Sequence, residues 1–98
     1  MITEHALLEV ILGQESEFMA TMEQAKLIIS ASPGFVGMRV ERCIERPSCF
    51  LLLVEWETLE DHTVGFRGSD AYQEWRSLLH HFYDPFPVVE HFEGVTTA

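Results

Sequence analysis

Apolar and polar residues alternate from His5 to Leu12, with Ala6, Leu8, Val10 and Leu12 on one face and His5, Leu7, Glu9 and Ile11 on the other. This period of two predicts a β-strand. From Gln14 to Ser32 the spacing becomes helical. Phe18, Met22, Ala25 and Ile29 form one apolar stripe, and Glu15 and Glu17 load the first turn, where the helix dipole favours negative charge. Pro33-Gly34 stops that helix, and alternation returns from Phe35 to Glu45, setting Val36, Met38, Val40 and Ile44 against Arg39, Glu41 and Cys43. A turn around Pro47 leads into the run Cys49-Phe50-Leu51-Leu52-Leu53-Val54-Glu55-Trp56, which completes a hairpin. Thr58-Leu59-Glu60-Asp61 then opens a helix with Thr58 as its cap. Gly65 and Gly68 interrupt it, and Ser69-Asp70 caps a second piece running to about Tyr83, with Tyr72, Trp75, Arg76, Leu79 and Phe82 along one side. Beyond Asp84-Pro85 a last strand covers Phe86 to Glu93, and residues 94–98 read as a frayed tail.

The order β-α-β-β-α-β is that of an α+β, ferredoxin-like domain: a four-stranded antiparallel sheet with helices on one face. The strand from Cys49 to Trp56 is apolar on both of its faces, so both faces of the sheet need cover. Leu8, Val10, Met38, Val40, Phe50, Leu52, Val54 and Val88 are expected toward the helices. Glu9, Arg39, Glu41, Leu51, Leu53, Glu55, Val89 and His91 are left for the opposite face. There Leu51, Leu53 and Val89 are too apolar for open water, so the sheet of a second copy is the expected cover. Glu9, Arg39, Leu51, Leu53 and His91 become interface candidates, with His91 facing either the pocket or the seam between copies. Glu9 is either ion-paired to Arg39 across the two copies or, if buried alone, a candidate base.

Composition narrows the partners. The 98 residues suit one domain over the whole chain, and 47% apolar against 22% charged residues describe a folded protein. A formal net charge of −10 repels phosphate backbones and anionic lipid head groups, which argues against nucleic acid and membrane partners. No segment has the length of a membrane span or the layout of a signal peptide, so the cytoplasm is the expected location. In that reducing compartment Cys43 and Cys49 read as thiols. His80 and His81 diverge on a helix and do not chelate one ion, and there is no phosphate-binding glycine loop. Neither a metal nor a nucleotide cofactor is expected.

Three stretches carry a resemblance: Leu53-Val54-Glu55-Trp56-Glu57-Thr58-Leu59-Glu60-Asp61-His62; Phe66-Arg67-Gly68-Ser69 with Tyr72-Gln73-Glu74-Trp75-Arg76; and Pro87-Val88-Val89-Glu90-His91-Phe92. Together with Pro33-Gly34-Phe35-Val36-Gly37, they resemble the antibiotic biosynthesis monooxygenase family. The resemblance implies a dimeric α+β barrel with a small pocket between helices and sheet in each subunit. It also implies oxygenation of quinol-like or anthrone-like aromatics with O2 and without a cofactor. A related branch degrades haem, but its iron-ligating histidine would fall near Trp75-Arg76, and neither residue ligates iron. An asparagine recurs in the family's polar constellation, and this chain contains none.

Within that frame His62 is the candidate base, because it shares a helical face with Phe66 and an imidazole titrates near working pH. Arg76 is the candidate group for developing negative charge. Phe66, Tyr72, Trp75, Leu52 and Val54 are the candidate pocket wall for a flat aromatic. Two other readings use the same residues: a non-catalytic ligand-binding or assembly module, and a proton-transfer isomerase acting on a lactone or dienone. A pocket filled by its own side chains would favour the module.

Overall fold

A computed structural model describes all residues from Met1 to Ala98. Four strands, β1 (Ile2–Glu9), β2 (Phe35–Arg42), β3 (Cys49–Trp56) and β4 (Val89–Phe92), form one antiparallel sheet in the order β2-β3-β1-β4. Two α-helices, α1 (Glu15–Ile29) and α2 (Asp70–Leu79), share a single core with one face of that sheet. This is the expected ferredoxin-like α+β fold.

The core forms where the helical stripe meets the inward strand positions. Phe18, Met22, Ala25 and Ile29 of α1 are buried against Ala6, Leu8, Phe50, Leu52 and Val54. Phe18 lies 4.8 Å from Phe50 and 5.7 Å from Phe82 between ring centroids. Burying each of these phenylalanines contributes roughly 1.5–3 kcal/mol. The alternate positions of β3, Leu51 and Leu53, lie on the open face and are only half-buried.

Several element limits differ from expectation. β1 begins at Ile2, which pairs with Trp56, and it ends at Glu9; Val10 makes only an isolated bridge to Tyr83. Long-range pairing thus recruits Thr3 and Glu4 into a strand that the apolar alternation alone would start at His5. In β2 a bulge between Phe35 and Gly37 puts Val36 out of phase, and it is exposed rather than inward. The strand ends at Arg42, leaving Ile44 89% exposed in the turn. β4 begins at Val89, and its register aligns Val89 with Ala6 and His91 with Glu4. Val89 and His91 therefore face the helices, while Val88 is 75% exposed, the reverse of the expected parity. Apolar residues at Val88, Val89 and Phe92 fit either phase, so pairing with β1 decides it.

The second helical region is in separate pieces, as its glycines suggest. Thr58 Oγ1 accepts from the Asp61 amide at 3.1 Å, and Asp61 Oδ2 accepts from the Thr58 amide at 3.2 Å, a reciprocal cap. A π-helical segment follows from Asp61 to Phe66, marked by the Arg67 amide bonding to the His62 carbonyl at 3.1 Å. It closes at Gly68, where a Cβ atom would lie 2.7 Å from the Val64 carbonyl oxygen. Ser69 then caps α2, accepting from the Tyr72 amide at 3.2 Å. A 3-10 turn from His80 to Phe82 ends the region.

Candidate functional site

Between the sheet, the π-helical segment and α2 lies a cavity of about 350 Å³. Its floor is Glu4, Ala6, Leu8 and Leu52 from the two central strands, together with Val89 of β4. Phe66, Tyr72 and Trp75 form one wall, and His80, Tyr83, Phe86 and Pro87 close the other. The space is open, not filled by leucine, phenylalanine or tryptophan side chains. Of the residues expected to line it, Leu52, Phe66, Tyr72 and Trp75 do so. Val54 does not: it is fully buried in the core.

A polar cluster stands at one end. Glu4 is 5% exposed and occupies an inward position of β1, where an apolar residue would be the rule. Trp56 at the end of β3 donates its indole N–H to Glu4 Oε1 at 3.0 Å. His62 Nε2 lies 3.3 Å from the same oxygen, and His62 Nδ1 meets His91 Nε2 at 2.7 Å. The His62 ring stacks on Trp56 with 5.4 Å between centroids and 19° between planes. The β1 pairings bring this cluster together, placing Trp56 beside Ile2 and His91 beside Glu4.

The electrostatics follow from burial. Desolvation raises the Glu4 carboxyl above its ordinary value, against the lowering effects of the Trp56 hydrogen bond and the Arg67 charge. Burial is also the main reason that His62 is pushed down to about 3, with Arg67 and His91 adding to it. His91 is lowered by burial and by Arg67. His62 is accordingly a neutral imidazole, hydrogen-bonded at Nδ1 to His91 and 3.3 Å from Glu4 at Nε2, which makes it a poor base.

The cluster has a defined route for a proton. With Glu4 ionised, His62 carries its proton on Nε2 toward the carboxylate and accepts at Nδ1 from His91. When Glu4 is protonated and donates to His62 Nε2, both histidines hold the other tautomer, His62 with its proton on Nδ1 toward His91 Nε2 and His91 with its own on Nδ1. Passing the carboxyl proton to His62 Nε2, the His62 Nδ1 proton to His91 Nε2 and the His91 Nδ1 proton outward restores the ionised arrangement. No imidazolium at His62 is needed, consistent with its low pKa.

Other expected residues fall elsewhere. His91 is not on the open face but at this cluster, because the β4 register puts it on the helix side. Arg76 is exposed and outside the cavity wall, since Trp75 takes the inward position of that adjacent pair. The arginine that lines the cavity is Arg67. Glu9 pairs with Arg46 of its own chain at 2.7 Å, and Arg39 approaches Glu41 at 3.6 Å, so Glu9 and Arg39 are not partners within the chain. Leu51 and Leu53 remain on the open face as expected. No three His, Cys, Asp or Glu residues are grouped so as to hold a metal ion.

A ferredoxin-like sheet whose helices cover a small, aromatic-walled cavity defines a class, and the chain belongs to it: the antibiotic biosynthesis monooxygenase family, whose profile matches residues 1–78. Among individual proteins it is 54% identical over 95 residues to the uncharacterized protein YczJ of Bacillus subtilis strain 168. That match covers 97% of this chain and 100% of YczJ. A solved structure of a candidate antibiotic biosynthesis monooxygenase from Bordetella bronchiseptica is 37% identical, with a TM-score of 0.92 and 97% of each chain covered. Another, from Nitrosomonas europaea, shares the fold at 14% identity with a TM-score of 0.82, covering 98% of this chain and 100% of that one.

Proposed function

We propose that this protein is a cofactor-independent monooxygenase for a small flat aromatic of quinol or anthrone type, with Glu4 as its base. The reading is carried by one observation: a buried carboxylate in the wall of an open, aromatic-lined cavity, backed by two neutral histidines. A carboxylate desolvated in this way is a stronger base than one in water.

For an anthrone-type substrate, Glu4 takes a proton from the ring CH2, leaving an electron-rich carbanion. The carbanion gives an electron to O2, and the resulting radicals join to form a C–O–O bond. Protonation of the peroxide, loss of the second C–H proton and cleavage of the O–O bond release water and leave a ketone. In sum, the CH2 compound plus O2 gives the C=O compound plus H2O. The chain supplies the base, an apolar enclosure and a proton route through His62 and His91.

Oxygen-electrode assays with anthrones and quinols test this reading, the expected outcome being enzyme-dependent uptake of one O2 per ketone or quinone formed. Turnover without O2 uptake would instead identify a proton-transfer isomerase using the same carboxylate, and absence of any turnover would sink both.

The cover of the open sheet face belongs to the same proposal. Leu7, Leu51, Leu53 and Phe92 line that face, and no helix of the chain packs on it. A second copy placed sheet to sheet would bury them, giving a homodimer. Light scattering should return a mass of two 11.3 kDa chains, and Leu53→Glu should return one. A wild-type monomer at micromolar concentration would contradict the dimer. No helix is long and apolar enough to cross a membrane.

A further inference from the structure

We infer that the ligand of this cavity carries an anionic group, a carboxylate in the first instance, which pairs with Arg67 while its acidic hydrogen faces Glu4. The inference rests on the aromatic-ligand reading above and narrows its substrate class.

Arg67 is the one cationic residue in the cavity wall. The other arginines are differently placed: Arg46 is paired with Glu9, Arg39 lies near Glu41, Arg42 donates to the Pro47 carbonyl, and Arg76 is outside the cavity. Arg67 makes no ion pair and no side-chain hydrogen bond, in a chain with 16 acidic residues. Its charge nevertheless acts on Glu4, His62 and His91, so the positive field is directed into the site. Glu4 does not satisfy it, being held by Trp56 and His62. A guanidinium at the rim of an apolar cavity presents a planar fork of donors matched to a carboxylate.

Size and polarity set the rest of the ligand. A dry cavity of about 150 Å³ accommodates one benzene ring. The volume of about 350 Å³ here has room for two fused rings with their substituents. Exposed Arg67 lies toward solvent and buried Glu4 inside, so the ligand enters ring-first with its anionic group outward. The class is therefore a two-ring hydroxyaromatic carboxylate, which selects the quinol type over the three-ring anthrones.

Calorimetric titration with 1-hydroxy-2-naphthoate and with 1-naphthol tests the assignment without any need for turnover. Wild type should bind the carboxylate about tenfold or more tightly than the naphthol, as expected for one charge-assisted pair. Arg67→Gln should bring that ratio close to one, mainly by weakening the carboxylate, and Arg67→Lys should keep part of the preference. Retained 1-naphthol binding also reports that the variant is folded. Equal binding of both probes by wild type, or a preference that survives Arg67→Gln, would overturn the anionic class and leave the aromatic pocket standing. Failure to bind either probe would overturn both.

Discussion

Replacing Glu4 by glutamine is expected to lower turnover by about 10²–10⁴-fold, the usual contribution of a positioned general base, while ligand affinity changes little. The amide oxygen can still accept from the Trp56 indole, which donates to Glu4 Oε1 at 3.0 Å in the native protein, so the local packing has no reason to collapse. Stability should move the other way. Because burial raises the folded-state pKa of Glu4, its favourable contribution is complete below the unfolded value and is lost as pH rises through the folded value. Each unit of that displacement is worth about 1.4 kcal/mol. Glutamine has no such loss. Urea denaturation at pH 4 and pH 8 should show the difference between variant and wild type shifting in favour of the variant at the higher pH. A variant that keeps full turnover would remove Glu4 from the chemistry, and a pH-independent difference would mean that its carboxyl is not desolvated.

His62 should control stability on the acid side, with the opposite sign. Its folded-state pKa is pushed down to about 3, so between the unfolded value near 6.5 and that point the unfolded chain takes up a proton that the native chain refuses. Its contribution is intact above the unfolded value and is lost as pH falls, by about 3 kcal/mol at pH 4. Glu4 works against this loss above its unfolded value, so the wild-type curve alone does not isolate the histidine. The comparison with His62→Gln does. The variant should be less stable at neutral pH, because the stacking on Trp56 and the bond to His91 are weakened. Between pH 7 and pH 4 the gap should narrow or reverse by about 3 kcal/mol. A gap of constant size would show that His62 accepts a proton in the folded protein.

Much of this architecture was legible in the sequence where one local period governs the outcome. The stripe from Phe18 to Ile29 and the apolar run within Cys49–Trp56 define α1 and β3 without reference to anything distant. Leu52 follows from the β3 run, Phe66 from the helix begun at Thr58, and Tyr72 and Trp75 from the apolar side of the piece capped by Ser69, and all four reach the cavity. Glu4 was not legible, because a carboxylate between Thr3 and His5 breaks the apolar signal and its partner Trp56 lies 52 positions away. It does share the parity of Ala6 and Leu8, so extending β1 by one inward step would have found it. Arg67 and Arg76 could not be ranked from a helical wheel. The π-helical segment and the break before Asp70 reset the phase between them, and only the folded chain shows which one lines the cavity. The choice between Val88 and Val89 was likewise set by pairing with β1.

Trp56 has one consequence for how this protein can change. The same side chain is fully buried in the core and supplies the donor that holds Glu4. Substituting it to retune the carboxyl would also leave a void among Phe35, His62 and Phe66. The Glu4 end of the cavity is thus resistant to gradual variation, whereas Tyr72, His80, Phe86 and Pro87 around it are not fully buried and are open to exchange. Descendants of this scaffold would diversify by altering which molecules enter, with the proton-handling apparatus beneath them inherited as a unit.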